Sequence, residues 1–145
     1  MTSDVAEEVD FVSDFRDAWR RVQRQLEKNL SAIGLTITEL RILKALSVDG
    51  PSPMAKFASE FFLTAPSVTG VIDKLEGEGL VERERGSEDR RVVTVRLTPE
   101  GRDRLEAGLK LNRQFVTRAL KPLSDHEAKQ LVELMAKVAS GAERD

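Results

Sequence analysis

The chain has 145 residues, the size of one domain or of a small domain with helical extensions. It contains no cysteine and a single histidine, His126, which excludes disulfides, thiolate nucleophiles and a Cys/His zinc site. A formal charge of −2 gives no global pull on nucleic acid, so binding of a polyanion has to come from how charge is distributed.

No apolar run approaches the ~18 residues of a membrane span. The acidic start, Met1 to Asp10, has neither the basic nor the apolar region of a secretory signal, so the cytoplasm is the expected location. From about Asp10 to Ile33, apolar residues recur at Phe11, Phe15, Trp19, Val22, Leu26, Leu30 and Ile33. Steps of three and four predict one long amphipathic helix, which Gly34 ends. Thr36 and Glu39 have capping-box spacing, and a second helix carries Leu40, Leu43 and Leu46 as far as Asp49-Gly50-Pro51. Ser52 as N-cap and Pro53 at the first helical position predict a short helix through Met54, Phe57, Ala58, Phe61 and Phe62. Thr64 caps a fourth helix with Val68, Val71, Ile72 and Leu75 on one face, closed by Gly79.

Two strands follow, Leu80 to Arg85 and Val92 to Leu97, joined by the charged tip Gly86-Ser87-Glu88-Asp89-Arg90-Arg91. Thr98 and Pro99 start a helix toward Leu120. Pro122 interrupts, and the capping box Ser124-Asp125-His126-Glu127 opens the last helix, with Leu131, Val132, Leu134, Met135 and Val138. His126 reads as an exposed first-turn residue. The class is mainly α with a small β-hairpin.

Two short helices followed by a hairpin, from about Ser52 to Leu97, form a winged helix-turn-helix. Its second helix, from Thr64, is the one that enters a major groove. The backbone N–H groups behind Thr64 suit a phosphate oxygen. The face opposite the core shows Pro66, Gly70, Asp73 and Gly77, flanked by Ser67, Thr69 and Lys74. It lacks Arg, Asn and Gln, the side chains that read bases bidentately, so shape and deformability are expected to carry much of the discrimination. Ser67 and Thr69 can donate to bases or phosphates, and Lys74 to a phosphate. The hairpin supplies Arg83, Arg85, Arg90 and Arg91, suited to a narrow minor groove. Asp89 is expected to hold a neighbouring arginine in one rotamer. From Thr64 to Leu97 there are six basic and seven acidic residues, so the segment is not a generic basic patch.

The run Thr64-x-Pro-Ser-Val-Thr69, Ile72-Asp-Lys-Leu75-Glu-x-x-Gly79-Leu-Val-x-Arg83, Asp89-Arg90-Arg91 and Leu97-Thr98-x-x-Gly101 resembles the MarR family of winged-helix transcriptional regulators. The resemblance implies a single domain over residues 1–145. Segments 10–34 and 102–145 would be dimerisation helices, and 36–101 the DNA-binding lobe. It also implies a homodimer straddling a pseudo-palindromic operator in double-stranded DNA, with Asp89 and Arg91 placing the wing and Arg85 and Arg90 helping. The long apolar stripes of the first and last helices point the same way. Release by a small aromatic or anionic effector is a further implication, with Arg16, Trp19, Arg20 and Arg41 as candidate ligand residues. The chain departs from the family in having no tyrosine for a phenolic pocket, and Gly70 where arginine is common.

The expected protein is therefore a DNA-binding regulator, read as a repressor, without metal or cofactor. A winged helix used only for protein–protein contact is the alternative. No nucleophile, metal cluster or Gly-rich phosphate loop supports an enzyme.

Overall fold

The computed structural model describes residues 2–86 and 88–143; Met1, Ser87 of the predicted tip, Arg144 and Asp145 lie outside the described residues. In chain order the elements are α1 (Thr2–Ser31), α2 (Ile37–Asp49), β1 (Ser52–Pro53), α3 (Met54–Glu60), α4 (Ala65–Gly77), β2 (Val81–Arg85), β3 (Val93–Leu97), α5 (Pro99–Leu120) and α6 (Asp125–Ala142). Contacts divide the chain into two units, residues 1–112 and residues 113–145.

The first unit holds the core, in which Leu30, Leu40, Leu43, Phe57, Ile72 and Val95 are all buried. α1 begins well before the Asp10 that periodicity suggests. The apolar stripe starts only at Phe11, so it carries no information about earlier turns. Gly34, at φ 70°, closes α1: its N–H bonds to the Ser31 carbonyl at 3.0 Å, and the Leu35 N–H reaches the Leu30 carbonyl at 3.1 Å. The capping box of α2 forms as its spacing predicts. Thr36 Oγ1 accepts from the Glu39 N–H at 3.1 Å, and Glu39 Oε2 accepts from the Thr36 N–H at 2.9 Å.

The start of α3 differs from the sequence reading. Ser52 does not cap it, and Pro53 is not its first helical residue. Pro53 is extended (φ −63°, ψ 144°) and is itself the cap position, with no side-chain hydrogen bond. Ser52 is buried, and its hydroxyl donates to the Gly50 carbonyl at 2.9 Å. The two residues form an edge strand, Ser52 opposite Val95 and Pro53 opposite Thr94. An edge tolerates the proline's missing N–H. The hairpin is thus part of a three-stranded antiparallel sheet of order β1-β3-β2, with Arg83 opposite Val95 and Arg85 opposite Val93.

α4 ends where its glycines allow. Gly79 takes φ 73°, its N–H bonds to Glu76, and the Leu80 N–H bonds to Leu75. Thr98 then ties the sheet to α5. Its hydroxyl donates to the Gly79 carbonyl at 2.6 Å and accepts from the Gly101 N–H at 3.0 Å.

In the second unit, Ser124 and Glu127 close the predicted capping box of α6. The Ser124 backbone N–H, at 2.7 Å from Glu127 Oε2, and then the Ser124 hydroxyl hold the Glu127 carboxyl below its ordinary pKa. A carboxyl depressed in the folded state supports the fold above its ordinary pKa and loses that support as pH falls through the lower value. The Ser124 amide resonance is therefore expected to shift as pH falls below about 4.5. In Glu127→Gln, which keeps a neutral acceptor, that shift should vanish. An identical titration in both proteins, followed by NMR, would rule the cap out as its source.

Candidate nucleic-acid interface

The two helices of the lobe owe their relation to their apolar faces. Val68, Ile72 and Leu75 of α4 are buried, as is Phe57 of α3. The Phe57 and Phe61 rings stack with centroids 6.2 Å apart, and the Arg41 guanidinium lies 4.5 Å over the Phe61 ring. With one face of α4 fixed in this way, the other is presented outward. Pro66, Ser67, Thr69, Gly70, Asp73 and Gly77 are exposed, and a Cβ added to Gly70 or Gly77 would meet nothing within 4 Å. Thr64 Oγ1 accepts from the Ser67 N–H at 3.3 Å and lies 2.8 Å from Ser67 Oγ.

Two of the basic residues read as DNA contacts are engaged within the protein. Lys74 Nζ donates to Glu39 Oε1 at 2.7 Å and lies 3.4 Å from the Gly34 carbonyl. It ties the reading helix to the corner between α1 and α2. Glu39 is itself buried, so one carboxylate serves both the cap of α2 and this tie. Arg83 bridges the wing to the reading helix. It donates to Asp73 and to Glu76 Oε1 at 2.9 Å, while its backbone N–H donates to Glu76 Oε2 at 3.0 Å. These acceptors are three residues apart on α4, a spacing that puts them on one face.

The wing tip has its own clamp. Asp89 Oδ1 accepts from the Arg91 N–H at 2.9 Å and from Arg91 Nε at 3.1 Å, and Oδ2 accepts from Nη2 at 3.3 Å. The arginine side chain donates first, and then its backbone, and together they hold the Asp89 carboxyl below its ordinary pKa. The Arg91 side chain nonetheless remains 91% exposed, so the clamp orients a cation that solvent still reaches.

Most carboxylates of this segment have an arginine partner. Asp73 and Glu76 are matched by Arg83, Glu82 and Glu84 by Arg96, and Asp89 by Arg91. Five of the seven carboxylates from Thr64 to Leu97 are thus paired, but by only three arginines, so the paired groups together stay acidic. Among the described residues Arg85 and Arg90 carry no ion pair. The hairpin from Val81 to Leu97 by itself carries five arginines against four carboxylates, so a near-neutral total coexists with a slightly cationic wing. Arg96 escaped the sequence reading as a neutraliser, because its partners lie across the hairpin.

An open groove of about 540 Å³ runs between α3, α4 and the wing. Met54, Ala58, Val68 and Val92 make it apolar, with Thr69 and Arg91 as polar members. None of Arg16, Trp19, Arg20 and Arg41 lines it. The first three lie exposed on α1, with Arg20 at 3.9 Å from Asp17, and Arg41 is on α2 over Phe61.

A helix braced on one face and bare on the other, coupled by Arg83 to an arginine-tipped hairpin, makes this lobe a winged helix-turn-helix of the kind found in DNA-binding transcriptional regulators. The MarR family model matches residues 35–93. The regulator YkoM of Bacillus subtilis is 32% identical over 123 residues, covering 85% of this chain and 80% of the relative. The repressor MdtR of the same organism is 28% identical over 127 residues, covering 88% and 82%. Among solved structures, the transcriptional regulator BldR from Sulfolobus solfataricus aligns with a TM-score of 0.74 at 31% identity, over 94% of this chain and 96% of that one. The chain belongs to the MarR family of HTH-type transcriptional regulators. Among its described residues no helix is long and apolar enough to cross a membrane.

Proposed function

We propose that the protein is a cytoplasmic repressor that binds a pseudo-palindromic operator as a homodimer, with residues 1–145 acting as one domain and segments 10–34 and 102–145 as its dimerisation helices. The observation that carries this reading is the wing, where exposed Arg91 is held in place by Asp89 beside Arg85 and Arg90. Thr64, Pro66, Ser67 and Thr69 face the major groove, and Arg85, Asp89, Arg90 and Arg91 serve the wing. Lys74 and Arg83 act from behind, by positioning the reading helix and the wing. The repressor reading follows the name of MdtR.

The dimer accounts for apolar surface that a single chain leaves in water. α1 exposes Phe11, Phe15, Trp19 and Val22, and no described residue of α6 is buried, Val132 and Val138 included. A second copy of the same chain would cover such stripes and set two reading helices about 34 Å apart. A small anionic or aromatic effector is part of the proposal. The apolar groove with Arg91 at its wall suits it better than the four arginine and tryptophan positions chosen from sequence.

The test is a gel-shift titration of the intact chain on DNA from upstream of its own gene, repeated at several salt concentrations. Arg85, Arg90 and Arg91 in each of two protomers give a log–log salt slope of about −5, or a loss of about 1,000-fold between roughly 50 and 200 mM salt. Absence of retardation even at low salt would favour the alternative, a winged helix that contacts only protein.

A further inference from the structure

We propose that Phe62 is a DNA-contact residue whose ring lies against the sugar–phosphate backbone beside the start of the reading helix; this rests on the operator-binding reading above. α3 closes with the Leu63 N–H bonded to the Ala58 carbonyl at 3.0 Å, a six-to-one closure. That closure puts Phe62 at the position after the helix cap, in the left-handed region at φ 54°. Glycine is the ordinary occupant of such a position, because a Cβ there is strained. Phe62 is the one non-glycine residue with positive φ among those described.

Packing does not offset the strain. Phe62 is 96% exposed, more than any other large apolar residue described; Val48 follows at 74%. A residue that breaks a backbone rule and a burial rule together, with no gain inside the fold, is retained for something outside it.

Its surroundings favour a polyanion as that partner. Phe62 is two residues ahead of Thr64, the N-cap of α4, and the first turn of α4 contains no acidic residue. The positive end of that helix is therefore open to phosphate. The Arg41 guanidinium sits over the adjacent Phe61 ring, adding a cation next door. Nearby Glu60 is paired with Lys56 at 3.7 Å. An aromatic face in a cationic setting matches deoxyribose flanked by phosphates.

The experiment measures binding of the intact chain and of Phe62→Gly and Phe62→Tyr to two labelled duplexes, the upstream DNA and an unrelated sequence. Phe62→Gly removes the ring and fits the backbone, so its thermal midpoint should equal or exceed that of the parent protein. Its affinity should fall about fivefold on both duplexes, since sugar contacts read no sequence. The salt slope should stay the same, because no charge is lost. Phe62→Tyr should bind within about twofold of the parent. Unchanged affinity of Phe62→Gly would overturn the proposal and leave operator binding standing, as expected if the ring serves a protein partner. A fall in salt slope with affinity would also overturn it, by showing that the reading helix had moved. A parent protein that binds neither duplex would overturn the operator reading itself.

Discussion

Gly101→Ala is expected to cost the protein about 3 kcal/mol of folding stability or more, a large share of what a domain has. A Cβ at Gly101 would run into the Leu80 carbonyl oxygen, and would also sit 2.8 Å from Leu97 Cδ1. That carbonyl cannot retreat freely, because it accepts the Thr98 N–H at 3.1 Å. The next residue back, Gly79, is held by the Thr98 hydroxyl at 2.6 Å. Thr98 and Gly101 thus close the first turn of α5 onto the corner where α4 gives way to β2. Two other glycines calibrate the effect. At Gly108 a Cβ would meet Leu40 Cδ1 at 2.6 Å, the end of a flexible side chain, so Gly108→Ala should cost less. At Gly70 nothing lies within 4 Å, and alanine there should stabilise α4 by roughly 0.5–1 kcal/mol. Urea-unfolding midpoints should rank Gly70→Ala above the parent protein, then Gly108→Ala, then Gly101→Ala. Equal midpoints for the Gly101 and Gly108 variants would show that the backbone at Leu80 yields more than its hydrogen bonds suggest.

Features written within a few residues were open to sequence reasoning. The boxes at Thr36–Glu39 and Ser124–Glu127 and the left-handed turn at Gly79 each depend on local spacing alone. The long apolar periods located the helices for the same reason. Ser52 was misread because its partner, Val95, lies more than forty residues further on. A Ser-Pro pair can serve a helix start or an edge strand equally well until that partner is known. The engagement of Lys74 by Glu39 and of Arg83 by Asp73 and Glu76 also needs the fold, since it joins separate elements. The charge count stands, but it carries no positions: Arg83 turns back onto α4, while Arg91 stays in solvent at the wing tip. Phe62 did leave a signal, an aromatic doublet where a turn before the Thr64 cap calls for glycine or asparagine.

The wing should then be the place where one side chain decides DNA affinity. Arg91→Ala is expected to weaken operator binding by roughly tenfold per wing, about a hundredfold in a dimer with two wings engaged. The guanidinium is almost wholly in solvent, so its removal leaves no cavity, and the thermal midpoint should stay put. Asp89→Asn separates orientation from charge. It keeps the side-chain shape but loses the anion that holds Arg91 through both its backbone and its side chain. A free arginine must give up rotamer freedom when it enters a groove, so this variant should bind several-fold more weakly than the parent even though the wing has become more positive. Pure charge attraction predicts the reverse sign, tighter binding once an acid is removed. The Asp89 carboxyl is held below its ordinary pKa by Arg91, so the clamp is complete above the ordinary carboxylate range and fails only as pH falls through the lower value. Parent and Asp89→Asn should consequently differ by a constant factor between about pH 5.5 and 8. Anisotropy titrations across that range give both readings at once. Tighter binding by Asp89→Asn would mean that the wing works by charge alone, with Arg91 needing no guidance from its neighbour.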